Sequence, residues 1–487
     1  MSDAPPPVSA PPVSPRPVRP RTPGTGLRYL LLVLAAAAVV AVGPIAGWFA
    51  PIPGPSDPVD RPSPEIEMYA RFGIALKAVD AERFSGSFAS ELNREAETVD
   101  TADSDALMAR GVEDLRAAIA LGEIEGAERA VERVRGVVAL ADDLDPDDPR
   151  TVALLRDASV LTAIYLTGPK SVGDSDRERL IERHGDLGRI ALAYGLPDDA
   201  PAREPLVRSA VRMVIGFGAM GVLVLGAMAV GLVLMIVGIV LVPTGRLRRR
   251  YQPDLTSDAR THHAFIDTAI VFLAAFAGFK ALLLGASIAF PDAEGVLVWA
   301  QLVGPWVLAG LVFWPLVRGV DRGTAFRSMG WVRGRGVVVE MGCGVLAYLA
   351  FLPVVAVGLV LLVVLMQVFG LHPSHPAVER LQDASWAEVV LVALMAAVWA
   401  PLVEESIFRG ALFHHARRFV GWGLAALLTA FVFAAIHPQG IATIPALMAL
   451  AMGFAFTREW RGSLIGPVTA HALHNATLVA LNLVLFG

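Results

Sequence analysis

Nine apolar stretches constrain this chain more than any motif does. They run at about 27–49, 213–243, 265–290, 295–317, 338–369, 386–403, 421–437, 441–457 and 465–486. A helix needs roughly 20 mostly apolar residues to cross a bilayer core, and most of these stretches reach that length. The expected fold class is therefore all-α: a polytopic membrane helix bundle of about eight or nine spans. The last three stretches are short or polar, so they depend on packing inside the bundle. Pro353 suggests a kink in the 338–369 stretch.

Composition agrees. Of 487 residues, 55% are apolar and 18% charged, which excludes a disordered chain. Cys343 is the single cysteine, so neither a disulfide framework nor a cysteine-rich zinc site is available. Lysine occurs only at Lys77, Lys170 and Lys280. Arginine in its place, with abundant Ala, Gly, Val and Leu, points to a GC-rich and hence bacterial genome.

Charge divides the chain. Residues 51–205 hold 32 acids and 18 bases, and the remainder holds 14 and 23. An acidic soluble block is thus set into a basic-flanked membrane protein. Residues 1–26, rich in Pro and Arg, read as a disordered tail. Residues 27–49 read as a membrane anchor, with a cleaved signal peptide as the rival. Trp48 and Phe49 would sit at the interface. After a proline linker at 51–61, residues 50–205 read as a soluble helical domain. Helices are expected over 106–140 with interruptions near Gly122 and Gly126, from Thr151 onward, and from Asp174 to Tyr194. Residues 206–337 carry further spans, and 338–487 form a last membrane unit.

Basic clusters set the orientation. Arg16, Arg19, Arg21 and Arg28 predict a cytoplasmic N-terminus, and a single crossing then puts the acidic block outside. Arg246–Arg250, Arg318–Arg335, Arg417–Arg418 and Arg458–Arg461 all fall inside under the same count. The chain is expected in the cell membrane as a multi-pass protein. No basic face interleaved with aromatics is present, so nucleic acid is not an expected partner.

Three short motifs lie in or beside the last spans. They are Glu404-Glu405-Ser406-Ile407-Phe408-Arg409-Gly410, Phe433-Ala434-Ala435-Ile436-His437, and His471-Ala472-Leu473-His474-Asn475. Ionisable side chains at membrane depth are expensive and mark functional sites by default. On a helix, Glu405 and Arg409 share a face in the order that favours an ion pair. Glu404 is rotated by about 100° from Glu405, so the two carboxylates can do different work. A solvated pair at an interfacial helix end is the bland alternative. His437 precedes Pro438, which should end the helix and leave the imidazole at a cavity edge. A helix-capping histidine is the dull reading there. His471 and Asn475, four apart, face the same way and could donate to a developing oxyanion. His474 reads as a packing residue, and His414 and His415, next to Arg417 and Arg418, as a solvated interfacial stretch.

Taken in order, these motifs resemble the pattern E-E-x-x-x-R, F-x-x-x-H, H-x-x-x-N of the CAAX protease and bacteriocin-processing family, the type II CAAX-prenyl endopeptidase-like membrane proteins. The resemblance covers roughly 340–487 and leaves 1–205 unexplained. It implies an all-helical intramembrane protease, of metallo- or glutamate type. By analogy, Glu404 with His437 activates water, His471 and Asn475 stabilise the oxyanion, and Glu405 and Arg409 hold the helix and tune charge. Zinc, if used, would take Glu404, His437 and His471 and leave one position open. No H-E-x-x-H pair is present, and the reading leans toward water held directly by Glu and His. The implied partners are a peptide or membrane-protein substrate, the lipid bilayer, and a protein partner on the 50–205 domain. The alternatives are a non-catalytic membrane scaffold and an ion- or proton-coupled transporter, the latter without visible inverted repeats.

Overall fold

A computed structural model describes residues 24–49, 64–78, 104–255, 257–369 and 385–486. Most of the N-terminal tail and the whole 51–61 linker lie outside the described residues, as do the side chains of Trp48 and Phe49. Among the described residues the chain is all-helical, with no strand. Helix α1 is Thr25–Phe49, and α2 is Pro64–Ala78. Helices α3 to α7 are Ser104–Ile124, Ala127–Leu140, Pro149–Thr167, Asp174–His184 and Asp186–Leu192. Then come α8 (Glu204–Leu241), α9 (Ala259–Ala289), the broken helical stretch α10 (Gly295–Val317) and the short α11 (Arg322–Met329). Last are α12 (Val337–Phe369), α13 (Trp386–Phe419), α14 (Trp422–Ala435), α15 (Ile444–Arg461) and α16 (Ile465–Phe486).

Helices α2–α7 bury one core around Ile74, Leu115, Ile119, Leu154 and Leu161. Its local breaks differ from the sequence expectation in instructive ways. Gly122 does not interrupt α3; it admits the Tyr165 ring, which would stand 2.5 Å from a Cβ there. The break falls at Gly126 alone, where φ is 100°. Helix α5 begins at Pro149 rather than Thr151, because Asp148 accepts from the Arg150 N–H at 2.7 Å and proline suits the first turn. The 174–194 stretch is two helices, split at Gly185 with φ 57°.

Helix α8 belongs to this core and to the membrane. Its first turns place Leu206, Val207, Ala210, Val211 and Val214 on the core of α2–α7. Beyond them Ile215, Val222, Leu225 and Ile239 stand exposed. At 38 residues it is about 57 Å long, more than a bilayer core requires.

Among the described residues, seven stretches are long and apolar enough to cross a membrane: Thr25–Val42, Glu204–Leu241, Ala259–Ala289, Gly295–Val317, Val337–Phe369, Trp386–Phe419 and Ile441–Arg461. Two of the nine expected spans are missing from this set. Helix α14 has only 14 residues, about 21 Å. Helix α16, the other, carries Thr469, His471, His474 and Asn475 through its middle.

Helix α12 organises the bundle. Glycines let its backbone approach α8, α15 and α16 closely. A Cβ on Gly231 of α8 would stand 2.2 Å from the Leu349 carbonyl oxygen, one on Gly344 2.4 Å from the Gly466 oxygen, and one on Gly358 2.6 Å from the Ala446 Cα. Small residues of this kind permit tight packing where lipid offers no hydrophobic drive. Pro353 lies inside α12 without ending it.

Candidate active site

The site forms where α13, α14, α15 and α16 meet. Helix α13 is not a regular helix. It widens to π geometry at Met395–Trp399 and again at Ser406–Leu412, with an α turn Ala400–Glu405 between. The first widening has a covalent cause. Ala400 N–H bonds five residues back, to the Met395 carbonyl. The next such bond would run from residue 401 to Ala396, and Pro401 has no N–H to give. The Asn475 side-chain amide fills the gap, donating to the Ala396 carbonyl at 2.7 Å. The second widening carries Arg409. π turns inside α-helices are frequent at functional sites.

Glu405 is fully buried. Its Oε1 accepts from Arg409 at 2.9 Å and lies 3.0 Å from Nδ1 of His471. The expected Glu405–Arg409 pair therefore forms, and it is buried rather than solvated. Arg409 also donates to the Ala451 carbonyl at 3.0 Å. Its guanidinium lies over the Phe433 ring at 4.6 Å and the Phe454 ring at 5.2 Å, an aromatic cage suited to a cation. His471 stacks on Phe454 at 5.0 Å with 18° between planes. Its Nε2 is 3.9 Å from Oε2 of Glu404. Three polar atoms here are buried without a hydrogen-bond partner: Glu404 Oε2, Glu405 Oε2 and Arg409 Nε.

Helix α14 ends at Ala435, two residues before His437. The His437 ring tilts against Phe433 at 4.3 Å, and its Nδ1 is 2.5 Å from the Phe433 carbonyl oxygen. Phe433 is also 6.0 Å from the His471 ring. Glu404, Glu405, Arg409 and His471 are thus in direct succession, and His437 joins them across Phe433. Asn475 sits one turn along α16 from His471, its amide turned to Ala396.

One expectation changes. His414 and His415 are not a solvated stretch: both are buried. His414 Nδ1 is 2.8 Å from the Tyr251 hydroxyl, and His415 Nε2 is 3.2 Å from that of Tyr29. His415 stacks on His262 at 4.3 Å. Helices α1 and α9 cover that face of α13, which local sequence cannot reveal. His474, read as a packing residue, lies 3.3 Å from the Tyr348 hydroxyl through its Nδ1. Sequence reading missed Phe454 and the Ala451 carbonyl. Neither carried a signal, since an aromatic in an apolar helix reads as core.

Among the described residues, no group of three His, Cys, Asp or Glu side chains is disposed to hold a metal ion. Glu404, His437 and His471, the zinc set expected from sequence, do not form a three-donor cage. His471 faces carboxylates with both ring nitrogens.

Residues 386–477 match the family described as Type II CAAX prenyl endopeptidase Rce1-like. The C-terminal region is an Rce1-like domain of the CAAX protease and bacteriocin-processing family. A curated relative, an uncharacterised 24.3 kDa protein of Escherichia coli, is 33% identical over 120 residues. That alignment takes in 24% of this chain and spans about half, 53%, of the relative. No solved structure matches the chain. The matched Rce1-like segment contains all three motifs and stops at Thr477, just beyond Asn475.

Proposed function

We propose that the protein is an intramembrane endopeptidase that cleaves peptide or membrane-protein substrates with water activated at Glu404. The observation that carries this reading is the Glu404 carboxylate. Its Oε2 is buried with no hydrogen-bond partner and lies 3.9 Å from Nε2 of His471, whose Nδ1 is tied to Glu405. A carboxylate with an open acceptor beside an oriented imidazole suits general-base work.

Glu404 takes a proton from water as the water oxygen bonds to the scissile carbonyl carbon. The C–N bond then breaks, and Glu404 returns the proton to the leaving amine. His471 Nε2 faces the reacting side and supports the developing oxyanion. His437 holds the water from the opposite side, across Phe433. Glu405 and Arg409 are positioning residues that orient His471. Asn475, assigned to the oxyanion by resemblance, acts instead through the Ala396 carbonyl: it holds the widened turn that precedes Glu404.

The N-terminus is cytoplasmic on this reading. Residues 50–205 form an extracytoplasmic domain that recruits the substrate or a protein partner. In a bacterial membrane the substrates are unprenylated peptides or membrane-protein tails.

The test is cleavage of membrane-derived peptides by the purified full chain. Glu404→Gln and His437→Ala are expected to be inactive yet folded, with activity of the unaltered chain indifferent to chelator. Near-normal turnover in Glu404→Gln would overturn the assignment. Activity lost to chelator and regained with zinc would turn Glu404, His437 and His471 into ligands.

A further inference from the structure

A second charged assembly lies away from the active site, where the ends of α8 and α15 meet the start of α12. Two carboxylates are buried there. Glu340 accepts from Arg461 twice, both at 2.7 Å, and from the Arg335 backbone N–H at 3.0 Å. Glu459 accepts from Arg417 at 3.0 and 3.1 Å. These carboxylates are consumed by their own partners. The segment after α8 is then fastened beside them, with Arg250 and Tyr251 N–H groups donating to carbonyls of Glu459 and Trp460 at 3.1–3.2 Å.

This fastening gathers more arginines than the carboxylates can neutralise. Arg246, Arg248, Arg250, Arg333 and Arg335 are exposed. Among the described residues none of the five side chains makes a hydrogen bond or an ion pair within 4 Å, and Arg250 feels the Glu340 carboxylate only at longer range. Just below them the helices turn apolar and exposed, with Val237 and Val240 on α8 and Val337, Val338 and Val339 on α12. Surplus positive charge over an apolar, outward-facing helix wall matches one class of ligand, which carries an anionic head and acyl chains in one molecule. An acidic protein would satisfy the arginines and leave the valines unexplained.

We infer that this corner of the bundle is a binding site for anionic phospholipid, with the five arginines on the phosphate-bearing headgroup and the valines along the acyl chains. Arginine suits phosphate because its planar fork can donate two parallel bonds. Basic residues at a span end attract anionic lipid by roughly fivefold in affinity for each arginine. The site is independent of the protease reading, because binding alone reports on it.

The full chain in neutral detergent micelles would be titrated with phosphatidylglycerol or phosphatidylcholine. Retained lipid would be counted by native mass spectrometry, and thermal unfolding followed in parallel. Phosphatidylglycerol is expected to bind at least about tenfold more tightly than phosphatidylcholine and to raise the unfolding temperature. The variant R246Q/R248Q/R250Q/R333Q/R335Q should lose that preference while unfolding normally without lipid. Arg250→Gln alone should lower affinity by roughly fivefold, which serves if the full variant misfolds. The control R208Q/R212Q, at the other end of α8, should bind as the unaltered chain does. The inference is overturned if the five-glutamine variant keeps the preference. It is equally overturned if inorganic phosphate protects as well as phosphatidylglycerol, or if a polyglutamate peptide binds and the lipid does not.

Discussion

Two of the buried glutamate–arginine pairs lie in very different regions of the chain. In the core of α2–α7, Arg203 donates to both oxygens of Glu123, at 3.1 and 3.0 Å. It also reaches the Ala193 carbonyl at 3.2 Å and Asp198 at 3.1 Å. No side-chain atom of that pair is buried unpartnered. In the membrane bundle, Arg409 meets a single oxygen of Glu405 at 2.9 Å. There Glu405 Oε2, Arg409 Nε and the neighbouring Glu404 Oε2 are all left without partners. A buried polar group left unsatisfied is destabilising by about 1–3 kcal/mol. The first pair is closed on itself and has only a structural use. The second leaves donors and acceptors unpaired within the protein. The difference teaches that burial of charge alone does not mark a site; what separates the pairs is how completely each satisfies its own polar atoms.

The largest expected effect tests the open pair. Glu404→Gln or His471→Ala should lower peptide cleavage by about 10²–10⁴-fold, the usual range for loss of general acid–base catalysis. Circular dichroism and size exclusion should show both variants folded. If either turns over normally, the unpartnered atoms have no catalytic meaning and the contrast between the pairs collapses.

Next comes the closed pair. Arg203→Met leaves Glu123 charged and alone in an apolar core, and should destabilise α2–α7 by about 3–5 kcal/mol. The double change R203M/E123L removes both charges and should recover most of that loss. Chemical denaturation of the full chain, read by limited proteolysis between residues 104 and 203, would measure it. The corresponding double change R409M/E405L should keep the bundle folded and still be inactive. Recovery of cleavage there would make the second pair structural too.

A smaller effect sharpens the view of the α2–α7 core. His184 lies 3.2 Å from Asp157 and is fully buried. Burial pulls its imidazole below the ordinary pKa, against the opposing pull of Asp157. The unfolded chain therefore binds a proton that the folded chain resists. Stability is full above the ordinary value of about 6.5 and falls as pH drops through it. Thermal unfolding of this region should shift downward between pH 7.5 and 5.5. His184→Gln should flatten the slope, and an unchanged slope would show that other groups set the acid limit.

Much of this was legible from residue order. Apolar length marked the spans, because bilayer thickness and helix rise leave little freedom. The spacing of Glu405 and Arg409 anticipated their pair, since four residues on a helix face one way. Pro438 announced the end of α14, and the three motifs anticipated the Rce1-like match over residues 386–477. Other features were not legible. Whether His414 and His415 met water or helices depended on α1 and α9, which are distant in sequence. Phe454 reads as any core aromatic until Arg409 and His471 are seen against it. The π turns of α13 are invisible to a regular helical wheel, although Pro401 supplies the cause of the first.

Sequence by itself determined what is set locally: the class of fold, the helices, their approximate ends and the side chains capable of chemistry. Tertiary structure decided which of those side chains share a partner. It turned Asn475 toward a carbonyl that Pro401 could not serve. It placed His471 between two carboxylates and left Glu404 Oε2 open. Those outcomes depend on how α13 and α16 approach one another. Glycines on α12, where a side chain would collide with a facing backbone, allow the bundle to close that far.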